Sequence, residues 1–418
     1  MKKIISIALA LLMVAVMLPV MAAAADTVYD ITDEVDLRAA VEAMTEGDNV
    51  TVRLQNDVTI NGDLKVSTGT LTILGQGHKL TIKRDSSSCS MVISNGATVN
   101  LGTKEGVGKP ENALILTSID DTSAVINMGG SAVLNMYHGV TIKDSRAGGQ
   151  AGGVQLIGDK TVFNMYGGMI ENCVNWASVA GGVHVTGGSK FYMHDGVIRN
   201  CAGVLSGAVS IISTTGPASF IMNNGTITGC SGDNEDYGGA VVVSVTHPDA
   251  VIEINKGEIT GNSGAKGGGI YVDEGTVKIA DGVALHSNKA TVEGDDLYNE
   301  SGSVTLGKLP AGLKLTPCGC DIDGWYHDKK DARWSSTKCG GGEDRMEKHT
   351  DTAFTGGRAL KAAHGEAPAA EPPLIIIVPE APEQEAPNPT TGSRDLVGAA
   401  VAMAAVSLLG AAAVLRRK

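Results

Sequence analysis

Leu134-Asn135-Met136-Tyr137-His138-Gly139 returns as Phe163-Asn164-Met165-Tyr166-Gly167-Gly168, as Phe191-Tyr192-Met193-His194-Asp195-Gly196 and as Phe220-Ile221-Met222-Asn223-Asn224-Gly225. Two looser copies follow, Ile252-Glu253-Ile254 before Gly257 and Val277-Lys278-Ile279 before Gly282, so that successive glycines stand 29, 28, 29, 32 and 25 residues apart. Each copy reads apolar, variable, apolar, a period of two that marks a strand with one buried face. Aligned on the glycines, one inner column holds Leu134, Phe163, Phe191, Phe220, Ile252 and Val277, and a second holds Met136, Met165, Met193, Met222, Ile254 and Ile279. Alternation this regular predicts a filled core, with methionine as its adaptable filler and no cofactor box.

Working outward, a second strand follows each glycine, as in Gly168-Met169-Ile170-Glu171, and a third follows a glycine pair, as in Gly181-Gly182-Val183-His184-Val185. Three short strands fill a repeat of this length and leave no room for a helix, so the chain is expected to be an all-β solenoid of stacked parallel strands. A polar column, Ser145, Cys173, Cys201, Cys230, Asn262 and Asn288, falls between the second and third strands. Stacked about 4.8 Å apart, its members are expected to satisfy the turns by hydrogen bonding along the stack. Residues 33–44 read as a helix with Thr32 or Asp33 as N-cap and an apolar face of Val35, Leu37, Val41 and Met44, suited to covering the first rung. Further strands are expected at 50–54, 71–74, 91–101 and 113–119, giving about nine rungs.

The two ends carry different signals. Lys2 and Lys3, an apolar run to Met21 and Ala22 to Ala25 form a secretory leader over 1–25, with mature sequence from 26. At the other end, 396–415 is an apolar span long enough to cross a bilayer, closed by Arg416, Arg417 and Lys418. Residues 365–387 are rich in Pro, Glu and Ala, an extended spacer. Between spacer and span lies Asn388-Pro389-Thr390-Thr391-Gly392. Pentapeptide, span and basic tail together resemble the sorting signal of Gram-positive wall proteins, with Asn388 where the commonest motif has Leu. The resemblance implies sortase cleavage between Thr391 and Gly392, transfer to peptidoglycan, and membrane attachment through the C-terminal helix before processing.

Composition limits the partners. The formal charge is −13, and loss of Lys2, Lys3 and the net positive charge beyond Gly392 brings the processed form to about −18. Such a surface repels phosphate backbones, so nucleic acid is not an expected partner. Seven cysteines in an exported chain imply at least one unpaired thiol, and Cys318, Cys320 and Cys339, with Trp325, Tyr326 and Trp334, mark a small disulfide-bearing module over 311–364 beyond the last rung.

The repeats, the segment Gly267-Gly268-Gly269-Ile270-Tyr271-Val272 and the closing Gly294-Asp295-Asp296-Leu297-Tyr298-Asn299 resemble adhesin-like right-handed parallel β-helix proteins of Gram-positive surfaces, within the wider pectate-lyase-like fold, over residues 26–310. That fold also contains polysaccharide lyases and hydrolases, which need carboxylates converging on one groove. The outward positions Asn135, Asn164, Tyr192, Ile221, Glu253 and Lys278 hold no acidic cluster, and Asp295-Asp296 reads as the end of the coil rather than a catalytic dyad. His138, His184 and His194 lack metal-ligand spacing, so neither catalytic residues, metal nor cofactor are expected. Two residues before each repeat glycine stand Tyr137, Tyr166, His194, Asn223 and Asn255, an outward stripe that reads either as ordinary solvated strand surface or as a line of aromatic and amide groups able to bind sugar rings or an extended peptide. The expected function is adhesion or display at the cell surface; a polysaccharide-cleaving enzyme and a structural spacer are the alternatives.

Overall fold

The computed structural model describes residues 26–83, 90–119, 123–315, 319–331 and 347–365. These residues wind into a β-solenoid of about eight turns. Sheet A stacks strands from Asp26–Ile31 to Ser303–Leu306, sheet B from Val58–Asn61 to Ala284–His286, and sheet C from Leu64–Val66 to Leu297–Asn299, all in parallel. A fourth sheet, D, stacks short strands from Arg146–Ala147 to Lys289–Glu293. A repeated turn therefore runs A, B, D, C, one strand more than the sequence predicts. The glycine-pair strand is sheet C, and the unexpected sheet D precedes it, in places only two residues long.

The inner columns arise directly from the register. Leu134 pairs with Phe163, Phe163 with Phe191, Phe191 with Phe220, Phe220 with Ile252 and Ile252 with Val277. All are buried, as are Met136, Met165, Met193 and Met222. The three phenylalanines stack face on face with centroids 4.8 and 5.2 Å apart, and removing each ring from water is worth roughly 2–3 kcal/mol. One core runs through the coil and continues into Leu315, Ile322, Trp325 and Phe354.

The polar column is buried as well. Ser145 Oγ donates to Gly152 O at 2.8 Å, while the Cys173, Cys201 and Cys230 thiols donate to carbonyls at 3.4–4.0 Å and are free of disulfides. Asn262 Oδ1 accepts from Cys230 N at 2.9 Å, and Asn288 Oδ1 accepts from Asn262 N and Nδ2 at 3.0 and 2.9 Å. The ladder ends on Asp296, whose Oδ1 accepts from Asn288 N and Nδ2, both at 2.9 Å.

At the N-terminal end a helix covers Glu34–Glu42, shorter than the expected 33–44. Asp33 caps it by accepting from Val35 N and Asp36 N at 2.9 and 3.1 Å. Leu37, Val41 and Met44 are buried but Val35 is 73% exposed, because a residue two positions from Leu37 lies on the opposite side of a helix. The Met91–Leu101 run divides into the strands Met91–Ile93 and Thr98–Leu101, which belong to sheets C and A.

Past Leu306 the chain turns back onto its own coil. Ala353–Thr355 adds to sheet A and Arg358–Ala363 to sheet C, both antiparallel, which covers the final strand edges. Asp295 and Asp296 fasten this closure. Asp295 Oδ2 meets Lys361 Nζ at 2.7 Å in a buried pair, and Asp296 Oδ2 accepts from Ala362 N at 2.8 Å. Cys320 is disulfide-bonded. The leader, the spacer from 366 onward, the sorting pentapeptide and the apolar span at 396–415 lie outside the described residues. Among the described residues, no helix is long and apolar enough to cross a membrane.

Candidate functional site

The expected stripe forms one continuous column on the outer surface. Tyr137 and Tyr166 stack with centroids 5.2 Å apart, and Tyr166 stacks on His194 at 4.7 Å. Asn223 Nδ2 then reaches His194 Nδ1 at 3.2 Å, and Asn255 Nδ2 donates to Asn223 Oδ1 at 3.1 Å. Burial lowers the basicity of His194 and raises the pKa of the Tyr137 hydroxyl, with Tyr166 adding to the latter. The rings cover one another's faces. A sugar cannot stack on a face already occupied, so the column offers ring edges and polar tips.

A parallel column behaves the same way. Asn100 donates to Thr72 Oγ1 at 3.1 Å, Asn135 to Asn100 at 2.8 Å and Asn164 to Asn135 at 2.9 Å, and Glu253 lies 3.5 Å from Lys278. These are the outward positions of sheet A, and their polar groups are already spent on one another.

The open feature lies one step along the chain. A groove of about 610 Å³ runs over successive turns between sheets A and B, floored by Gly139, Gly168, Gly196, Gly225 and Gly257. Each of these glycines has φ between 85° and 110°, the left-handed region that a side chain disfavours. Space forbids a side chain too: a Cβ on Gly168 would lie 2.5 Å from Val140 O, and one on Gly225 would lie 2.7 Å from Gly196 O. The glycines that define the repeat thus leave a strip of bare backbone. At about 4.8 Å per turn, five glycines span roughly 19 Å.

Walls come from His138, Asp195, Asn224 and Glu258. His138 lies across Gly167, where any Cβ would collide with its ring, and so reaches Asp195 two turns away, Nε2 to Oδ2 3.5 Å. Asn224 Nδ2 donates to Asp195 Oδ1 at 3.3 Å. Glu258 Oε1 faces His286 Nε2 at 3.7 Å. The two carboxylates are 45% and 43% exposed, and each already faces a histidine. Among the described residues, no group of His, Cys, Asp or Glu is arranged to hold a metal ion.

His184 stands elsewhere, on the outward side of sheet C, yet it is buried between Gln155 and Ser210 in register. Burial lowers its pKa to about 4, partly opposed by a hydrogen bond with the backbone of Ser210. The groove walls were absent from the expected site. The residue immediately before each repeat glycine (His138, Asp195, Asn224) is the signal that could have found them.

No protein-family model matches the chain, and neither a curated protein nor a solved structure matches it significantly.

Proposed function

We propose that this is an exported surface protein whose coil, a right-handed parallel β-helix of the adhesin-like kind, displays the glycine-floored groove to an extended polymer, a glycan on a host or neighbouring cell. The observation that carries the reading is the groove itself, a linear cleft about 19 Å long over backbone that no side chain fills. Its walls carry hydroxyl, amide, carboxylate and imidazole groups from Thr141, Thr226, Asn224, Asp195 and His138, the mixture that hydrogen-bonds to sugar hydroxyls. Periodic walls suit a periodic ligand. The stripe of Tyr137, Tyr166 and His194 lies beside it with its ring faces taken up by one another, so it does not stack on sugar rings.

Display requires attachment, which the reading assigns to Asn388-Pro389-Thr390-Thr391-Gly392: a sortase joins Thr391 to peptidoglycan and the span at 396–415 holds the precursor in the membrane until then. Cell wall digested with muramidase and analysed by mass spectrometry tests this. A C-terminal peptide ending at Thr391 and joined to a stem fragment is expected. An intact tail through Lys418, recovered only with membrane, would sink wall anchoring. The exposure of Asp195 and Glu258 favours binding over the hydrolytic alternative, which predicts loss of polymer length on incubation.

A further inference from the structure

We infer that the polymer held by the glycine-floored groove is a β-1,4-linked chain of amino sugars whose free amines meet the carboxylates of Asp195 and Glu258, a choice of ligand that rests on the glycan reading of that groove.

Charge makes the selection. Asp195 and Glu258 both line the groove, and among the described residues that line it none is lysine or arginine. Cations farther along the same sheet B strands are engaged with acids of their own: Lys143 Nζ lies 3.0 Å from Asp144 Oδ2, and Arg199 Nη2 lies 2.6 Å from Glu171 Oε2. Lys256, the residue before Gly257, is exposed and does not line the groove. The cleft therefore presents negative charge on a chain that is already acidic, at −13 overall. A uronic-acid or sulfated polymer would set like charge against like, whereas an ammonium group gains a counter-charge.

Both carboxylates have acceptor capacity to spare. Asp195 Oδ1 accepts from Asn224 Nδ2 at 3.3 Å and its Oδ2 lies 3.5 Å from His138 Nε2, while Glu258 Oε1 lies 3.7 Å from His286 Nε2. These separations exceed the roughly 2.7–2.9 Å of a charge-assisted hydrogen bond, and an ionised carboxyl offers about four acceptor sites. At 45% and 43% exposure, the two groups are open to a ligand.

Their placement fits a chain rather than a lone amine. Asp195 stands just before Gly196, on the sheet A side, and Glu258 just after Gly257, where it begins the sheet B strand Glu258–Thr260. Two turns separate them, or about 10 Å along the groove. A β-1,4 chain turns each sugar over relative to the one before, so an amine on every ring is offered to both walls in turn. On the turn between them, Asn224 and Thr226 supply amide and hydroxyl groups for the sugar hydroxyls.

The test is isothermal titration of the intact protein near neutral pH with soluble hexamers of β-1,4-linked glucosamine, of its N-acetylated form and of lysine. A carboxylate beside a sugar amine holds it in the ammonium form, and acetylation removes that charge while keeping the chain. Glucosamine hexamer is expected to bind about tenfold more tightly than the N-acetylated hexamer, the combined worth of two half-exposed charge pairs, and high salt should shrink the difference. Changing Asp195→Asn together with Glu258→Gln should bring the two sugars level, and Thr226→Trp should abolish glucosamine binding. Equal affinity for the two sugars, or tighter binding of the N-acetylated one, would overturn the inference. So would hexalysine bound as tightly as glucosamine, which marks a basic peptide, or glucosamine binding that survives Thr226→Trp, which marks diffuse attraction outside the groove. If neither sugar hexamer binds while another polymer is retained by the groove, the amino-sugar assignment fails and the glycan reading stands; if no polymer is retained, both fail. Should the double variant fail to fold by circular dichroism, the two sugars in the unaltered protein and Thr226→Trp decide.

Discussion

The outer stripe and the glycine floor of the groove lie side by side in the chain, two residues apart, and the same register builds both. Tyr137, Tyr166, His194, Asn223 and Asn255 close on one another by stacking and hydrogen bonds. The neighbouring glycine column closes on nothing, because it has no side chains. In a solenoid, in-register repetition makes like neighbours satisfy like. The surface left available to a partner is where repetition places an absence. The inner ladder from Ser145 to Asp296 is the extreme closed column, so breaking it should cost stability, and filling the groove should cost binding alone.

The largest stability effect is expected from Asn288→Ala. It removes the side-chain bonds to Asn262, Ile259 and Asp296, keeping the backbone one to Asp296, and leaves several buried groups unpaired, a loss of about 3–5 kcal/mol by denaturant unfolding. Binding by the folded fraction should be unchanged.

The pH dependence is expected to show two opposing limbs. Burial pushes the Asp296 carboxyl up to about 7, against the bonds from Asn288 and Ala362 that favour the anion and with Asp295 adding to the rise. Its folded value exceeds its unfolded value, so its contribution is full below about pH 4 and fades as pH rises through 7. The amount is on the order of 4 kcal/mol. For His184 the folded value, about 4, lies below the unfolded one. Its contribution, about 3 kcal/mol, is full above pH 6.5 and is lost as pH falls through 4. Between pH 4 and 7 the unfolding free energy should therefore gain more with rising pH in Asp296→Asn than in the native sequence, and gain less in His184→Gln; profiles parallel to the native one in both variants would refute the assignment.

Smaller effects sharpen the contrast. Tyr166→Ala loses two ring contacts and should cost about 1–2 kcal/mol while retaining ligand binding. Cys201→Ala removes a thiol with long hydrogen bonds and should cost about 1 kcal/mol, far less than the asparagine change in the same ladder.

Much of this architecture can be read from the chain. The phenylalanine and methionine columns and the buried ladder positions announce themselves because period two and a repeated glycine survive in every copy. Sheet D does not, since Arg146–Ala147 or Val174–Asn175 is too short to display a period. Val35 is apolar yet faces solvent, because burial on a helix follows angular position and Val35 lies opposite Leu37. The stripe was legible as a column, but its stacking was not, because single positions do not reveal that two rings share a face. The groove was hidden for a deeper reason. Its floor consists of missing side chains, and its walls, His138, Asp195, Asn224 and Glu258, come from separate repeats that only the winding brings together.

The measurement that tests the central claim most directly is retention of the intact protein on immobilised neutral, acidic and amino-sugar polysaccharides, comparing the native sequence with Thr226→Trp. Thr226 is on the groove wall, outside the core and the ladder, so the indole should block the cleft while leaving stability within about 0.5 kcal/mol. The account predicts that the native chain is retained on at least one polymer class and that Thr226→Trp loses at least tenfold in affinity while Tyr166→Ala does not. Equal retention by native chain and Thr226→Trp, or retention by neither on any polymer, would contradict it.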